Sequence, residues 1–298
     1  MTATTAGSAL RAQGALLVVT VVWGSTFVVV QQATREVPIT DFLGLRFGIA
    51  AVLMFVIRPR ALSQLTKEQR GHGLMLGLFL TAGFLLQTFG LARTTPTISA
   101  FITGLFVVFT PIAAWVLMRR AIEPLTWVGV ALAVVGLAFL SLRGWSMGFG
   151  EILTLFGAIA FALHIVNLGR WATRESAYGL AVIQLGVVSV VCSALGCLDG
   201  FELPQSKSNW LAIIFLAIFA TAIAFFVQTW AQSVISPTRA AVVMTMEPVF
   251  ATLFAVLFID EPITVRIVIG ALCVLAAMYL VELGPRHAED AAIQRLEM

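Results

Sequence analysis

Long apolar runs broken by short polar stretches dominate the chain. Ten such runs can be drawn, at 13–33, 38–57, 71–92, 96–118, 124–142, 151–171, 177–198, 209–233, 238–258 and 263–283. Each is roughly 18–25 residues long, enough for a helix to cross about 30 Å of hydrocarbon. The alternating polarity of a membrane β-strand is missing from them, which excludes a barrel. The pattern predicts an all-α integral membrane protein with ten transmembrane helices in a single membrane domain, residues 1–298. The longest polar connection, Arg58 to Arg70, leaves no room for a soluble domain.

The runs repeat themselves. Glu123-Pro124-Leu125-Thr126 opens the fifth run and Glu261-Pro262-Ile263-Thr264 opens the tenth, 138 residues later. Ala-Thr-Arg-Glu closes the first run (Ala33 to Glu36) and the sixth (Ala172 to Glu175), offset 139. Gln87-Thr88-Phe89 followed by Pro96-Thr97 matches Gln228-Thr229-Trp230 followed by Pro237-Thr238, offset 141. Pro111 matches Pro248 at offset 137. The offset drifts by about one helical turn, so a helix face is nearly preserved. Matches in order at nearly one offset indicate a duplication, with a first five-helix repeat at 12–143 and a second at 150–284. Five is odd, so the second copy enters the membrane from the opposite side. Such inverted-topology repeats are the architecture of secondary transporters, whose substrate site lies near the midplane between the copies.

Charge sets the orientation. Leaving out Arg46, which falls inside a run, 12 Lys and Arg lie on the side of the N-terminus and 5 on the other. The positive-inside rule places both termini in the cytoplasm. Composition agrees with a membrane protein: 60% of residues are hydrophobic and 11% charged, against about 25% charged in soluble proteins. The three cysteines, Cys192, Cys197 and Cys273, have no ligand spacing and read as small buried hydrophobes. The first run lacks a small-x-small cleavage site and reads as a retained helix. Gly44 and Gly48, Gly73 and Gly77, and Gly196 and Gly200 have the spacing of close helix contacts.

Trp23-Gly24-Ser25-Thr26-Phe27 in the first run, Thr95-Pro96-Thr97 opening the fourth, Pro111 within it, Glu247-Pro248 in the ninth, Glu261-Pro262-Ile263-Thr264 and Gly270 together resemble the drug/metabolite transporter superfamily, in its EamA branch. The resemblance covers about residues 12–283 and extends to the YddG-type exporters of amino acids, aromatic ones among them. It implies two inverted five-helix halves. Their central cavity would be lined by spans one, three, four, six, eight and nine, with five and ten at the periphery. Export of amino acids or similar small metabolites by alternating access is the function it implies, in a bacterial inner membrane. Efflux of hydrophobic or cationic drugs is the runner-up. Span one lacks the acid of the four-helix multidrug relatives. The cations that nucleotide-sugar relatives use for phosphate are also missing, since Arg46 is the lone deep cation.

The candidate lining comprises Trp23, Phe27, Gln87, His164, Asn167, Gln228, Met244 and Glu247. His164, Asn167 and Trp171 share a helical face, as do Thr20, Trp23, Phe27 and Gln31. Aromatic walls with a few polar handles are typical of small-molecule sites. The competing readings are that Trp23 and Phe27 face lipid or a dry helix contact, and that His164 is an interhelical hydrogen-bonder. Gln87 and Gln228 either line the two mouths of one path or bridge helices. Met244 shares the face of Glu247 and offers a flexible thioether. Glu247, a carboxylate inside an apolar run, is costly and marks function. It binds a substrate ammonium, exchanges a proton as the coupling ion, or pairs with Arg46. Local pairing with Asp41 or snorkelling is the preferred reading for Arg46. Glu123 and Glu261 read as first-turn residues of the helices they precede. A membrane-embedded enzyme needs a nucleophile with a base or a metal cluster, and one intramembrane His without Cys or Asp at ligand spacing supplies neither. No cofactor, no metal and no nucleic-acid partner is expected; the partners are a small solute and the lipid bilayer.

Overall fold

The computed structural model describes residues 3–118, 124–143, 146–235, 240 and 243–283. They form α1 (Ala3–Ala33), α2 (Ile39–Ile57), the single turn α3 (Arg60–Ser63), α4 (Lys67–Leu91), α5 (Pro96–Gly104), α6 (Phe106–Met118) and α7 (Pro124–Ser141). Then follow α8 (Phe149–Trp171), α9 (Ala177–Asp199), α10 (Lys207–Phe215), a π-helical stretch (Leu216–Ile223), α11 (Ala224–Gln232), α12 (Glu247–Ile259) and α13 (Val265–Leu283). A pair of two-residue strands, Leu142–Arg143 and Ser146–Met147, closes an antiparallel hairpin between α7 and α8.

Among the described residues, seven helical stretches are long and apolar enough to cross a membrane by length and composition. They are Ala9–Ala33, Ile39–Ile57, Lys67–Leu91, Pro96–Leu117, Phe149–Trp171, Ala177–Asp199 and Lys207–Gln232. Three shorter apolar helices, Trp127–Leu140, Glu247–Ile259 and Val265–Leu280, accompany them.

Local chemistry sets the helix starts. Thr66 and Gln69 form a reciprocal capping box at α4, with bonds of 3.1 and 3.0 Å, which satisfies two orphan N–H groups. Thr95 caps α5 by accepting from Ile98 N at 3.3 Å, with Pro96 in the first turn. Ser206 caps α10 through Asn209 N at 3.1 Å. Span four is divided at Leu105, between α5 and α6, six residues before Pro111. Span nine differs from expectation. Glu247 and Pro248 do not sit within a continuous helix; they form the first turn of α12, after turn residues Thr245 and Met246. Proline lacks an N–H and is tolerated there. Residues 238–239 and 241–242, where that span was expected to begin, lie outside the described residues.

Helix α2 packs on α9, α4 on both α8 and α9, α1 on α12 and α11, α5 and α6 on α8, α5 on α12, and α7 on α13. One apolar cluster joins Phe42, Phe47, Leu185, Val188 and Leu216, and another joins Phe101, Phe106, Ile165 and Met278. The close contacts explain the paired glycines. A Cβ at Gly77 would lie 2.5 Å from Val187 Cβ, and one at Gly44 2.5 Å from Ser193 Oγ, so larger residues would push α9 away. Gly200 is a correction: it has φ 92° and ends α9, with open space around it. Positive φ suits glycine at a helix end. Cys192 is buried, but Cys197 is exposed, against expectation; all three cysteines are free. Apolar side chains such as Val52, Val56, Trp127, Leu257 and Leu272 point outward, where lipid solvates them.

Candidate functional site

A central cavity lies among α1, α2, α4, α5, α6, α8, α11 and the start of α12. It holds about 660 Å³ not filled by protein atoms, part of it open at the mouth.

Aromatic rings form its wall. Phe225 lies 5.4 Å from Trp23 and 5.8 Å from Phe84, centroid to centroid, and Phe84 lies 5.3 Å from Phe161. The tilted and edge-on geometries are those that aromatic quadrupoles favour. Trp23 Nε1 donates to Ala220 O at 2.9 Å, so its indole is tied inward and does not face lipid. That carbonyl belongs to the π-helical stretch, and π segments recur at functional sites because they re-aim backbone groups.

Seven of the eight sequence candidates line this cavity: Trp23, Phe27, Gln87, His164, Gln228, Met244 and Glu247. The eighth, Asn167, does not. Its Nδ2 donates to Leu163 O at 2.8 Å, and its Oδ1 accepts from Arg170 at 3.3 Å. The rest of that expected face also disperses. Trp171 stacks on His72 with centroids 4.3 Å apart. On α1, Gln31 donates to Leu91 O (3.1 Å) and Thr94 O (2.9 Å), and Thr20 bonds Leu17 O at 2.7 Å. These are bracing contacts. Gln87 and Gln228 line one common cavity, not separate mouths. Gln87 Nε2 donates to Thr103 Oγ1 at 3.1 Å, and Gln228 Nε2 reaches Met244 Sδ at 4.0 Å while its Oε1 is buried without a partner among the described residues. His164 is both an interhelical hydrogen-bonder, to Gln184 at 2.7 Å, and a lining residue.

Arg46 is the residue that sequence reasoning misassigned. It lines the cavity and pairs with neither Asp41 nor Glu247. Asp41 is occupied elsewhere, accepting from Glu202 N at 2.8 Å. Arg46 Nε donates to Thr221 Oγ1 at 2.8 Å, and Nη2 lies 3.5 Å from Ala220 O. Its guanidinium carbon sits 5.3 and 5.5 Å from the ring centroids of Phe47 and Phe84, within cation–π range. A lone cation deep in an apolar run was the available signal. Phe84, Phe161, Phe225 and Thr103 were also missed, because aromatic and small polar residues abound in such runs.

Glu247 lines the same cavity, and its carboxylate makes no hydrogen bond or ion pair among the described residues. Its place in the first turn of α12 puts it against unsatisfied backbone N–H groups, which favours a negative group. Glu261 acts across the fold, not on its own helix. Its Oε2 accepts from Thr97 N at 3.3 Å, at the start of α5. Its counterpart Glu123 lies outside the described residues.

The helical bundle thus encloses an aromatic-walled cavity holding a cation and a carboxylate that do not pair with each other, and comparison with known proteins gives its class. The sequence pattern of the EamA-like transporter family matches residues 11–142 and again 148–283. The chain belongs to this family. It is 32% identical over 275 residues to a protein of Archaeoglobus fulgidus named only as an uncharacterized transporter, spanning 92% of this chain and 86% of that one. It is 28% identical to the uncharacterized inner membrane transporter YedA of Escherichia coli, with 80% of each covered. A solved crystal structure shares the fold, with a TM-score of 0.67 and 19% identity over 95% of this chain and 99% of that one. The protein is therefore a multi-pass membrane transporter and not an enzyme.

Proposed function

We propose that the protein exports amino acids, aromatic and hydrophobic ones included, and similar small metabolites by alternating access. The observation that carries this reading is that Arg46 and Glu247 line one aromatic cavity without pairing with each other. A free amino acid presents a carboxylate, an ammonium and a side chain. Arg46 is suited to the first, Glu247 to the second and the rings to the third. The cationic-drug reading has Glu247 and the rings in its favour and Arg46 against it.

The transporter moves its solute, in this reading, between two inverted five-helix repeats, 12–143 and 150–284, that together make ten spans. The helix pairings support it. Exchanging each span with its counterpart turns the α4–α8 contact into α11–α1 and the α1–α12 contact into α8 with α5 and α6, and all of these contacts exist. The pairs α2–α9 and α7–α13 map onto themselves. The cation bias of 12 to 5 supports cytoplasmic termini, and the name of the YedA relative supports an inner membrane. A proton is the coupling ion proposed, with Glu247 as its carrier.

The test is counterflow by purified protein in liposomes, with labelled amino acids and cationic dyes as competing panels. Saturable exchange of amino acids, inhibited by aromatic ones, is the expected result. Exchange of dyes alone overturns the reading. A C-terminal reporter active only outside the cytoplasm is expected to stay silent.

A further inference from the structure

We infer that a relay from Phe225 through Thr229 and Gln184 holds His164 as its Nε2–H tautomer, so that Nδ1 is a fixed hydrogen-bond acceptor in the cavity wall and selects solutes that donate an N–H. The solute half of this inference rests on the amino-acid reading above; the tautomer does not.

Thr229 Oγ1 lies 2.7 Å from Phe225 O, one turn earlier in its own helix. A carbonyl only accepts, so the hydroxyl donates its single proton there. The second contact of Thr229 Oγ1, with Gln184 at 3.2 Å, is then one that Oγ1 accepts. Gln184 must present its NH2 group to it, which leaves Oε1 toward His164. That oxygen lies 2.7 Å from His164 Nε2. Two acceptors cannot bond, so Nε2 carries the proton. A neutral imidazole carries one proton, and Nδ1 is left with a lone pair.

The relay is locked by burial. Gln184 and Thr229 are 0% exposed and His164 is 1% exposed. A reversed relay would need the Thr229 hydroxyl to leave Phe225 O and the Gln184 amide to turn over, and both side chains are closed off from solvent, so the lost bonds would be costly. Gln184 and Thr229 are thus positioning residues for His164. His164 Nδ1 has no protein partner among the described residues, and His164 belongs to the cavity lining. The same cavity offers a second buried acceptor without a partner, Gln228 Oε1, together with the Glu247 carboxylate. Against these acceptors stands one strong donor, Arg46. A carboxylate is repelled by a lone pair and goes to Arg46; an ammonium or indole N–H finds acceptors. A quaternary ammonium has no N–H for His164 Nδ1 or Gln228 Oε1, and only the Glu247 charge and the rings remain to hold it.

The chain has three histidines, His72, His164 and His287, so nitrogen NMR of histidine-labelled protein in lipid nanodiscs can assign His164 by its loss in His164→Asn. The expected spectrum is an Nε2–H, bare-Nδ1 ring, with the Nδ1 signal moving when a transported amino acid is added. Gln184→Leu is expected to give a mixture of tautomers. Gln184→Glu, which still accepts from Nε2, is expected to keep the original one. In liposomes, the wild type should prefer an amino acid to its N,N,N-trimethyl derivative by about tenfold or more, and Gln184→Leu should narrow that ratio. An Nδ1–H ring in the wild type overturns the relay. Equal transport of the trimethyl derivative overturns the selection. A bare Nδ1 that responds to no amino acid upholds the relay and sinks the amino-acid reading.

Discussion

The two stretches matched by the family pattern, residues 11–142 and 148–283, share a frame but not a chemistry. Gln87 and Gln228 occupy corresponding places, and each reaches sixteen residues along the chain for its partner. In the first half that partner is a hydroxyl, Thr103 Oγ1, at 3.1 Å. In the second it is the thioether of Met244 at 4.0 Å, and Gln228 Oε1 is left buried and unpaired. Thr110, beside Pro111, bonds Phe106 O at 2.7 Å, whereas Glu247, beside Pro248, is unpaired in the cavity. Ser25, which stands 139 residues before His164, returns its hydroxyl to Val22 O at 2.6 Å, whereas His164 lines the cavity. α4 is continuous, whereas its counterpart contains the π-helical stretch. At these paired positions the first half bonds its polar groups within itself, whereas the second leaves Gln228 Oε1 and the Glu247 carboxylate available among the described residues. Arg46 runs the other way, a first-half residue of the cavity wall held in place by the second half through Thr221. Duplication supplies a frame; ligand chemistry needs the copies to diverge, because a free solute is not two-fold symmetric.

The largest effect is expected at Arg46, the cation of the cavity wall, which the other half holds through Thr221. A hydrogen bond to a charged group is worth about 1.5–3 kcal/mol, and about 1.4 kcal/mol is tenfold. Arg46→Met should weaken half-saturation for amino acids by about tenfold to a hundredfold while leaving amines that lack a carboxylate unaffected, read by competition in counterflow. Arg46→Lys should recover little, because an ammonium lacks the fork that serves Thr221 and a carboxylate together. If both variants transport like the wild type, Arg46 is only a strut.

Glu247 and Thr110 test the asymmetry directly. Glu247→Gln keeps shape and removes charge, and should weaken amino-acid exchange about tenfold. Thr110→Val, at the corresponding place, should change it less than about twofold. Equal losses at the two sites would erase the distinction drawn between the halves.

The glutamine pair should divide into affinity and stability. Gln228→Leu removes a free acceptor and should raise half-saturation about threefold to tenfold, with an unchanged melting temperature in detergent. Gln87→Leu leaves Thr103 without its donor and should lower the melting temperature, with a smaller effect on transport. The reverse assignment would show that Gln87 meets the solute.

The smallest effect belongs to Asn167. Its bonds stay on its own helix, so Asn167→Ala should alter transport by less than about twofold. On a background without Cys192, Cys197 and Cys273, Phe27→Cys, Gln87→Cys and Met244→Cys should react with a water-soluble thiol reagent and be protected by solute. Asn167→Cys should react slowly. Labelling of all four alike would mean that the cavity is drawn too small.

Much of the site was legible because its residues are costly where they stand. Glu247, His164 and the two glutamines stand out in apolar runs, and costly groups are kept for a reason. Asn167 was misjudged because a shared helical face is a necessary condition for lining, not a sufficient one. A short amide can bond a carbonyl one turn back in its own helix. Arg46 was misjudged because Asp41 lies five residues before it and looked like a partner, until Glu202 N was found on Asp41. Glu261 looked like a residue of its own helix and instead accepts from Thr97 N, 164 residues back in the chain.

The sequence by itself determined that the chain is a bundle of apolar helices, where most of them begin and end, and that its plan is stated twice. Those are local properties: an apolar run long enough for a bilayer has a helix as its one satisfied backbone, and caps and prolines act within a turn. Only the tertiary structure decided which polar groups are already paired and which are free. Gln184 had no distinction in its run, yet it sets the proton of His164, and Thr221 in the π-helical stretch holds Arg46 from 175 residues away. Pairing in a low-dielectric interior depends on a few tenths of an ångström between distant helices. No spacing along one strand of sequence encodes that.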